Sequence, residues 1–546
     1  MLKIIIAKST DTLREIAHSQ NIDMHSLLRV NAHIGDPDGD ITNMKVYIPP
    51  EINNHFKIPP FGYPKMPEEF INHWIPTTSI EKMVLEEYDV LIVGSGAGGS
   101  AALYRVCEQW SKKGKKIGMI EAGGLLLPTH AHNISTLENE RFPKYFLNPN
   151  ISTPVGWELP EFPGARIVYA LGGRTLFWSA VTPRMHKIEF PINDWPISYD
   201  DLIGYYNKLE RVMGVTNDFT KDASITDITL KRLRENGFPQ ATGVPIATDI
   251  SKTKFGTIKS DVYFSSIDFL ARSLELNPFD LSINTKGVRV IVNNDKISGI
   301  EVVTPEGQPY IIRAKNIILS ASALETPRIL LNSGIEGKAI GHYLVNHSFL
   351  EVNGSFNRFD LPENFGNLGI LVPQTREIPF QLQLYGLGGF FFYYKNQLPE
   401  QDRIPFFLQG FGKVEARYEN KVMLHSTKKD RFGYPTIDVN FSYSQKDYRL
   451  ISYIHNQMEY ALKIINGKKD EEISLRPPGL DYHEMGTCRM GDDPETSVTN
   501  KYGQVHHVRG LFVADNSILR NTGAANPVIT TMALALRTAD YITQTN

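Results

Sequence analysis

The stretch "YDVLIVGSGAGGSAALYRV", residues 88–106, runs an apolar strand straight into a glycine cluster and then into helix-forming sequence. Val90 to Val93 make the strand. Gly94 permits a tight turn and Gly96 lets the backbone approach a pyrophosphate. Gly99 lets the following helix pack close, with its N-terminus toward the phosphates. A second apolar run, "KIGMIEAGG", carries Glu121, 22 residues past Gly99. That spacing suits a carboxylate on a ribose hydroxyl pair. A glycine motif alone is a weak signal. Strand, glycines, helix, strand and acid in this order predict a dinucleotide site.

The sequence around this unit is not a continuous βαβ series, as a nicotinamide enzyme would have. A long irregular stretch leads to "ARIVYALGGRTLFWSAVTPRM" (165–185). The pattern returns with "GVRVIVNNDKISGIEVVTPEGQPYIIRAKNIILSASALETPRILLNSGI" (287–335), a β-meander, a strand ending in Ser320, Ala321 and Ser322, and a helix expected to start near Thr326-Pro327. Residues 509–542, "RGLFVADNSILRNTGAANPVITTMALALRTADYI", add a strand ending at Asp515 and a last helix beginning at Pro527. A nucleotide fold in three separated pieces suits a flavin enzyme. The expected fold class is α/β (α+β overall): a Rossmann-like dinucleotide domain from separated segments, plus a sheet-and-helix substrate domain.

At 546 residues the chain exceeds one ordinary core, and 41% hydrophobic with 21% charged residues describes a globular protein. A net charge of −3 gives no reason to expect nucleic acid. Two cysteines, Cys107 and Cys488, exclude a disulfide framework. The opening "MLKIIIAKSTD" is too short for a signal-peptide core, and no 18-residue apolar run follows. No transmembrane segment and a cytoplasmic location are expected.

Residues 1–50 read as a unit of their own. A β-rich run at 3–7 precedes Ser9 or Thr10 as helix cap, and Leu13, Ile16 and Ala17 fall at helical spacing. A second short helix carries Leu27, Leu28 and Val30, and "KVYIPP" closes the unit as a strand. Through "TDTLREIA", "NIDMHSLLRVN" and "NMKVYIP" the segment resembles the lysin-motif (LysM) domain, with Thr10-Asp11 where that family usually has Gly-Asp. The resemblance implies binding of peptidoglycan- or chitin-type glycans, and with it the alternative of a cell-envelope or spore-surface location. Residues 51–85, with five prolines, read as a linker or arm. The expected organisation continues as cofactor domain 86–190, substrate domain 191–280, cofactor domain 281–344, substrate domain 345–480, and a cofactor and catalytic segment 481–546. Within it, "QLQLYGLGGFFFYY", "KVEARYENKVMLHS" and "TIDVNFSYS" read as strands and "DYRLISYIHNQMEYALKII" as an amphipathic helix. A sheet roofing the cofactor, with helices on its far side, is the expected layout.

"DYHEMGTCRMG" (481–491) places His483 beside a small Gly-Thr-Cys turn. General base, metal ligand and polar core residue are all open to it on this stretch alone. No HxxxH, HxH or CxxC lies nearby, so no metal is expected. A neutral imidazole with pKa near 6.5 is suited to taking a hydroxyl proton at neutral pH.

The first glycine loop, "LGGRTLFW", "SALETPRILLNSGI", "HEMGTCRMG" and "FVADNSILRNTGAANPVITTMALA" together resemble the glucose–methanol–choline (GMC) family of flavoprotein oxidoreductases, over roughly residues 86–545. Glu336, where the second signature commonly ends in glycine, is one departure. The resemblance implies FAD, oxidation of an alcohol by hydride transfer to flavin N5, His483 as general base and Asn526 as its partner. Asn526 can donate a hydrogen bond to the hydroxyl, and the helix starting at Pro527 and Val528 can stabilise charge on the flavin. It also implies that Gly94, Gly96, Gly99, Glu121, Gly172, Gly173, Trp178, Val290, Asp515, Pro527 and Val528 hold the cofactor. The "GGRTLFWSAVTPRM" run is closest to the pyranose-oxidase branch. Some relatives there tether the flavin through a histidine at the position of Phe177, so noncovalent FAD is expected here. His347, in "VNHS", resembles a stretch near the substrate channel and is not expected to be catalytic; nor are His506 and His507. The expected substrate is a secondary ring hydroxyl of a sugar or glycoside, with a non-sugar alcohol, or an inactive glycan-binding surface protein, as alternatives. Oxygen, a quinone and a soluble carrier all remain open as electron acceptor.

Overall fold

The computed structural model describes residues 3–48, 74–134, 137, 141–191, 194–251, 262–361, 366–386 and 402–545. Val90–Val93 is the central strand of a five-stranded parallel sheet, ordered Asp280–Ser282, Ile117–Ile120, Val90–Val93, Ile317–Leu319, Leu511–Val513. All four residues of the central strand are buried. Helices cover such sheets on both faces, and for that reason the strand reads as an unbroken apolar run. The crossover helix Ala97–Gln109 packs against helices Ser266–Leu276 and Val528–Thr545. Its close seat depends on missing side chains. A Cβ at Gly98 would lie 1.7 Å from the Ala514 carbonyl oxygen, and one at Gly99 2.0 Å from that of Gly94. Gly94 itself sits at φ +99°, which favours glycine.

Strands Lys286–Asn293, Lys296–Val303 and Pro309–Ala314 form the expected antiparallel meander, with Glu87–Tyr88 paired at its edge. The helix after strand Ile317–Leu319 spans Ser322–Asn332, starting ahead of the expected Thr326-Pro327. Asp515 draws the start forward by accepting from the Ser322 N–H at 3.0 Å. Pro327 therefore lies inside the helix, where its missing N–H leaves the Ala323 carbonyl without an intrahelical donor. The Thr487 hydroxyl donates to that carbonyl at 2.7 Å.

A second, antiparallel sheet runs Lys468–Lys469, Ser348–Asn357, Arg403–Gly412, Phe380–Gly386, Gly369–Val372, Thr242–Gly243, with Ser474–Leu475 also paired to the Ser348 strand. Period-two alternation divides its faces. Leu382, Leu384 and Leu408 pack with Leu233, Ala461 and Ile465 of the helices behind. The longest of those helices, Gln445–Ile465, opens with a Ser444–Asp447 capping box and ends at Asn466 in the left-handed region. The part of "QLQLYGLGGFFFYY" beyond Gly386, and residues 51–73 of the expected arm, lie outside the described residues.

Residues 3–48 form the expected β-α-α-β unit. Strands Lys3–Ile6 and Lys45–Ile48 pair antiparallel, with helices Leu13–Ser19 and Met24–Val30 between them in sequence. The first cap is Thr12, not Ser9 or Thr10. Thr12 and Glu15 exchange side-chain and backbone hydrogen bonds, a capping box that Ser9 and Thr10 stand too early to make. The unit rests on the Gln445–Ile465 helix, where the Ser452 hydroxyl donates to the His33 carbonyl at 3.2 Å and Gln445 donates to Asp36 at 3.1 Å. Among the described residues, no helix is long and apolar enough to cross a membrane.

Candidate active site

One cavity of about 570 Å³ lies between the parallel sheet and the cavity-facing side of the antiparallel sheet. At one end stands the glycine loop. A Cβ on Gly96 would meet nothing within 4 Å, so the backbone there is bare toward the cavity. Glu121 closes this end. Its carboxylate accepts from Ser95 N at 2.9 Å, Ser95 Oγ at 2.6 Å and Gly123 N at 2.9 Å. Burial raises its pKa, and those bonds pull the other way. Ser95 Oγ in turn accepts from Gly172 N at 2.9 Å, which ties the "GGRT" turn to the glycine loop.

Of the residues read from the sequence, Gly94, Gly96, Glu121, Gly173, Trp178, Asp515, Val528, His483 and Asn526 line this cavity. Gly99, Gly172 and Pro527 stand behind the wall: Gly99 seats the helix, Gly172 holds Ser95, and the Pro527 carbonyl accepts from Thr531 N in the first turn of the last helix. Val290 is not on the wall. It pairs with Ile300 inside the meander and its N–H donates to Ser333 Oγ, so the strand reaches the cavity at its start, through Thr285, Lys286 and Gly287. Asp515 accepts from Ser322 N, Thr326 Oγ1, Ser517 N and Ser517 Oγ, tying the Ser322–Asn332 helix to its own turn at the cavity wall.

His483 stands at the other end, its side chain 14% exposed. Its Nδ1 lies 3.0 Å from Nδ1 of His347. Asp481 Oδ2 is 3.5 Å from the His347 nitrogen and 3.7 Å from that of His483. The same carboxylate accepts from the His347 backbone N–H at 2.8 Å and the Asn346 amide at 3.3 Å. Burial pushes the His483 pKa down to about 3; Asp481 opposes the fall, while His347 and Arg174 add to it. With Nδ1 turned to this cluster, Nε2 is the ring nitrogen left for a substrate. Arg174 clamps Glu484 through two bonds of 3.1 and 2.7 Å, which fixes the catalytic loop against the "GGRT" turn.

Asn526 faces the cavity with a defined amide orientation. Its Oδ1 accepts from Gln381 Nε2 at 3.1 Å and Gln383 Nε2 at 2.6 Å. Both lone-pair sites are thereby taken, and Nδ2 remains as a donor. The sequence reading missed both glutamines, although the Gln-Leu alternation in "QLQLY" already puts them on one strand face. It also missed Asp481, two residues from His483, and gave His347 no part in the cluster. The His347–Asp481–His483 set offers three groups that could hold a metal ion, a grouping that the local spacing around His483 could not disclose.

Two sequence profiles described as GMC oxidoreductase match residues 170–349 and 416–535. The chain belongs to the GMC oxidoreductase family. Among curated relatives, a 2-methyl-1,2-propanediol dehydrogenase of Mycolicibacterium austroafricanum is 26% identical over 84% of this chain and 96% of its own. A C-glycoside 3-oxidase of Arthrobacter globiformis is also 26% identical, over 84% and 95%. A pyranose 2-oxidase of Tricholoma matsutake is 23% identical over 70% and 74%. Among solved structures, an Aspergillus oryzae formate oxidase superposes with a TM-score of 0.63 at 15% identity, over 84% of this chain and 99% of its own.

FAD is the cofactor of GMC oxidoreductases. The residues present fit it: an open glycine cradle, an acid at the end of the second strand, and two helix N-termini on one elongated cavity. This GMC oxidoreductase is an FAD-dependent enzyme that oxidises the CH–OH group of an alcohol.

Proposed function

We propose that the alcohol is a secondary ring hydroxyl of a sugar or glycoside, with His483 as general base and Asn526 as hydroxyl donor. The observation that carries this reading is that one cavity is lined both by His483, its Nδ1 engaged by the Asp481–His347 cluster, and by Asn526, whose amide presents its donor. Bound FAD supplies the hydride acceptor. His483 Nε2 takes the hydroxyl proton, and Asp481 offsets the imidazolium charge that results. Asn526 Nδ2 donates to the substrate oxygen without competing for its proton, and this bond strengthens as negative charge builds there. The C-glycoside 3-oxidase and pyranose 2-oxidase among the relatives support a sugar substrate. Anaerobic mixing with free sugars, aryl glucosides and simple alcohols, followed by locating the new carbonyl, tests the reading. Bleaching of the flavin by aliphatic alcohols or sterols, and by no sugar, would refute it.

FAD is held without a covalent bond, since Phe177 on the cavity wall offers no nucleophile. Acid precipitation is expected to leave the flavin in the supernatant. Residues 1–50 act as a LysM-type glycan-binding unit, a reading supported by their β-α-α-β order. Retention of the full chain on insoluble chitin or peptidoglycan, lost on deleting these residues, is the expected result. The chain is cytoplasmic unless this unit places it at the cell envelope.

A further inference from the structure

The antiparallel sheet carries a polar row along the cavity that extends past Gln383, the residue that orients Asn526. Strand register aligns Glu351 with Gln409, and Gln409 with Gln383. Neighbouring strands are about 4.8 Å apart, so this row spans roughly 10 Å from Gln383, which holds Asn526, to Glu351. Its hydrogen bonds have one direction. The Tyr385 hydroxyl donates to Gln409 Oε1, and Gln409 Nε2 donates to Glu351 Oε2 at 2.7 Å. Glu351 Oε1 is left facing Arg476 Nε at 3.9 Å, outside hydrogen-bond distance. Next to this row lies an apolar one. Phe349 and Phe411 stack at 4.9 Å with 10° between their planes, and Phe411 lies 5.9 Å from the His483 ring.

We propose that Glu351, oriented by Gln409 and neighboured by Arg476, takes a second hydroxyl of the substrate and makes the enzyme specific for polyhydroxylated rings. The inference rests on the sugar reading given above. A carboxylate with a spare oxygen accepts a hydrogen bond from a hydroxyl, and the guanidinium beside it donates to the same or an adjacent oxygen. Arg476 also argues against an ammonium group as the occupant, because the acid already has a cationic neighbour. The Phe349–Phe411 surface suits the C–H face of a ring lying between the reacting carbon and this hydroxyl. A site built to bond a hydroxyl discriminates strongly against analogues lacking it, because its polar groups are then left unpaired.

The test compares kcat/KM for flavin reduction by a reactive pyranoside and its series of monodeoxy derivatives, in the wild-type holoenzyme and in Glu351→Gln. Wild type is expected to lose about a hundredfold at one deoxy position other than the oxidised carbon. In Glu351→Gln the ratio at that position is expected to shrink to about fivefold or less. Flavin content and melting temperature confirm a folded variant, and Gln409→Met gives a second route to the same loss of discrimination. A deoxy penalty that persists undiminished in both variants, or no penalty at any position in wild type, overturns the assignment of Glu351. Bleaching by simple alcohols and by no sugar overturns the sugar reading itself.

Discussion

Asn526 would be an ambiguous group if its amide could turn over. Gln381 and Gln383 remove that freedom, and Gln383→Leu is expected to slow flavin reduction about tenfold while leaving flavin content intact. His483→Ala should keep FAD bound, because the cofactor wall is made by other segments, yet slow substrate-driven reduction at least about a hundredfold. Near-normal reduction in that variant would remove His483 from the chemistry. Since burial holds the His483 pKa at about 3, its neutral form persists well below the ordinary histidine range. Reduction rates should therefore stay level from pH 8 down to about pH 5, with no acid limb near 6.5. Asp481→Asn removes the charge that opposes the fall in the His483 pKa, making the base weaker still. A slower rate with little change in KM is expected. A limb near 6.5 in wild type would show that His483 titrates as an exposed imidazole.

At the level of elements, what could be read in advance follows distance along the chain. The glycine loop, its strand and Glu121 were legible because the chemistry sits within one βαβ unit. His347 was not, because it meets His483 only through folding, 136 residues away in sequence. Val290, placed on the cofactor by the family resemblance, pairs with Ile300 inside the meander, and the same strand lines the cavity through Lys286 and Gly287. The helix containing Pro327 shows another limit: proline suggested a first turn, but Thr487 satisfies the carbonyl that an internal proline leaves bare. Thr487→Val should cost about 1–3 kcal/mol by orphaning the Ala323 carbonyl. Earlier thermal release of flavin would register it, and an unchanged release temperature would mean that another donor replaces the hydroxyl.

For the whole molecule, the Gln445–Ile465 helix joins the N-terminal unit, which meets Gln445, Ser452 and His455, to the catalytic body, which packs on Ile454, Met458, Ala461 and Ile465. Deleting residues 1–50 should leave a flavin-loaded enzyme of reduced stability, because the unit carries its own buried Leu13, Ile16, Leu27 and Leu28 yet covers Ser452 and His33 meets His455 there. Insoluble or flavin-free protein would make the unit part of the catalytic body. Buried histidines set a second global property. Burial pushes His130 to about 3 and His132 to about 4. The unfolded chain, with ordinary histidines, binds more protons below pH 6.5, so the stability they contribute above that pH is lost as pH falls toward their folded values. Each can contribute up to about 1.4 kcal/mol per pH unit over that window. The melting temperature should fall between pH 7 and pH 5, and a flat profile would contradict their neutral burial.

The parallel sheet takes its strands from residues near 90, 117, 280, 317 and 511, and the cavity is closed by His483, Asn526 and Val528. During synthesis the glycine loop therefore leaves the ribosome roughly 430 residues before the last wall of its own site. At about 5–20 residues per second that interval is roughly 20–90 s. Val90–Val93 lacks a neighbouring strand until Leu319 is made, and the cavity lacks His483, Asn526 and Val528 for about 160 residues more. Cofactor capture is thus a late event in the life of each chain, and ribosome-stalled chains ending before residue 511 should carry no bound flavin.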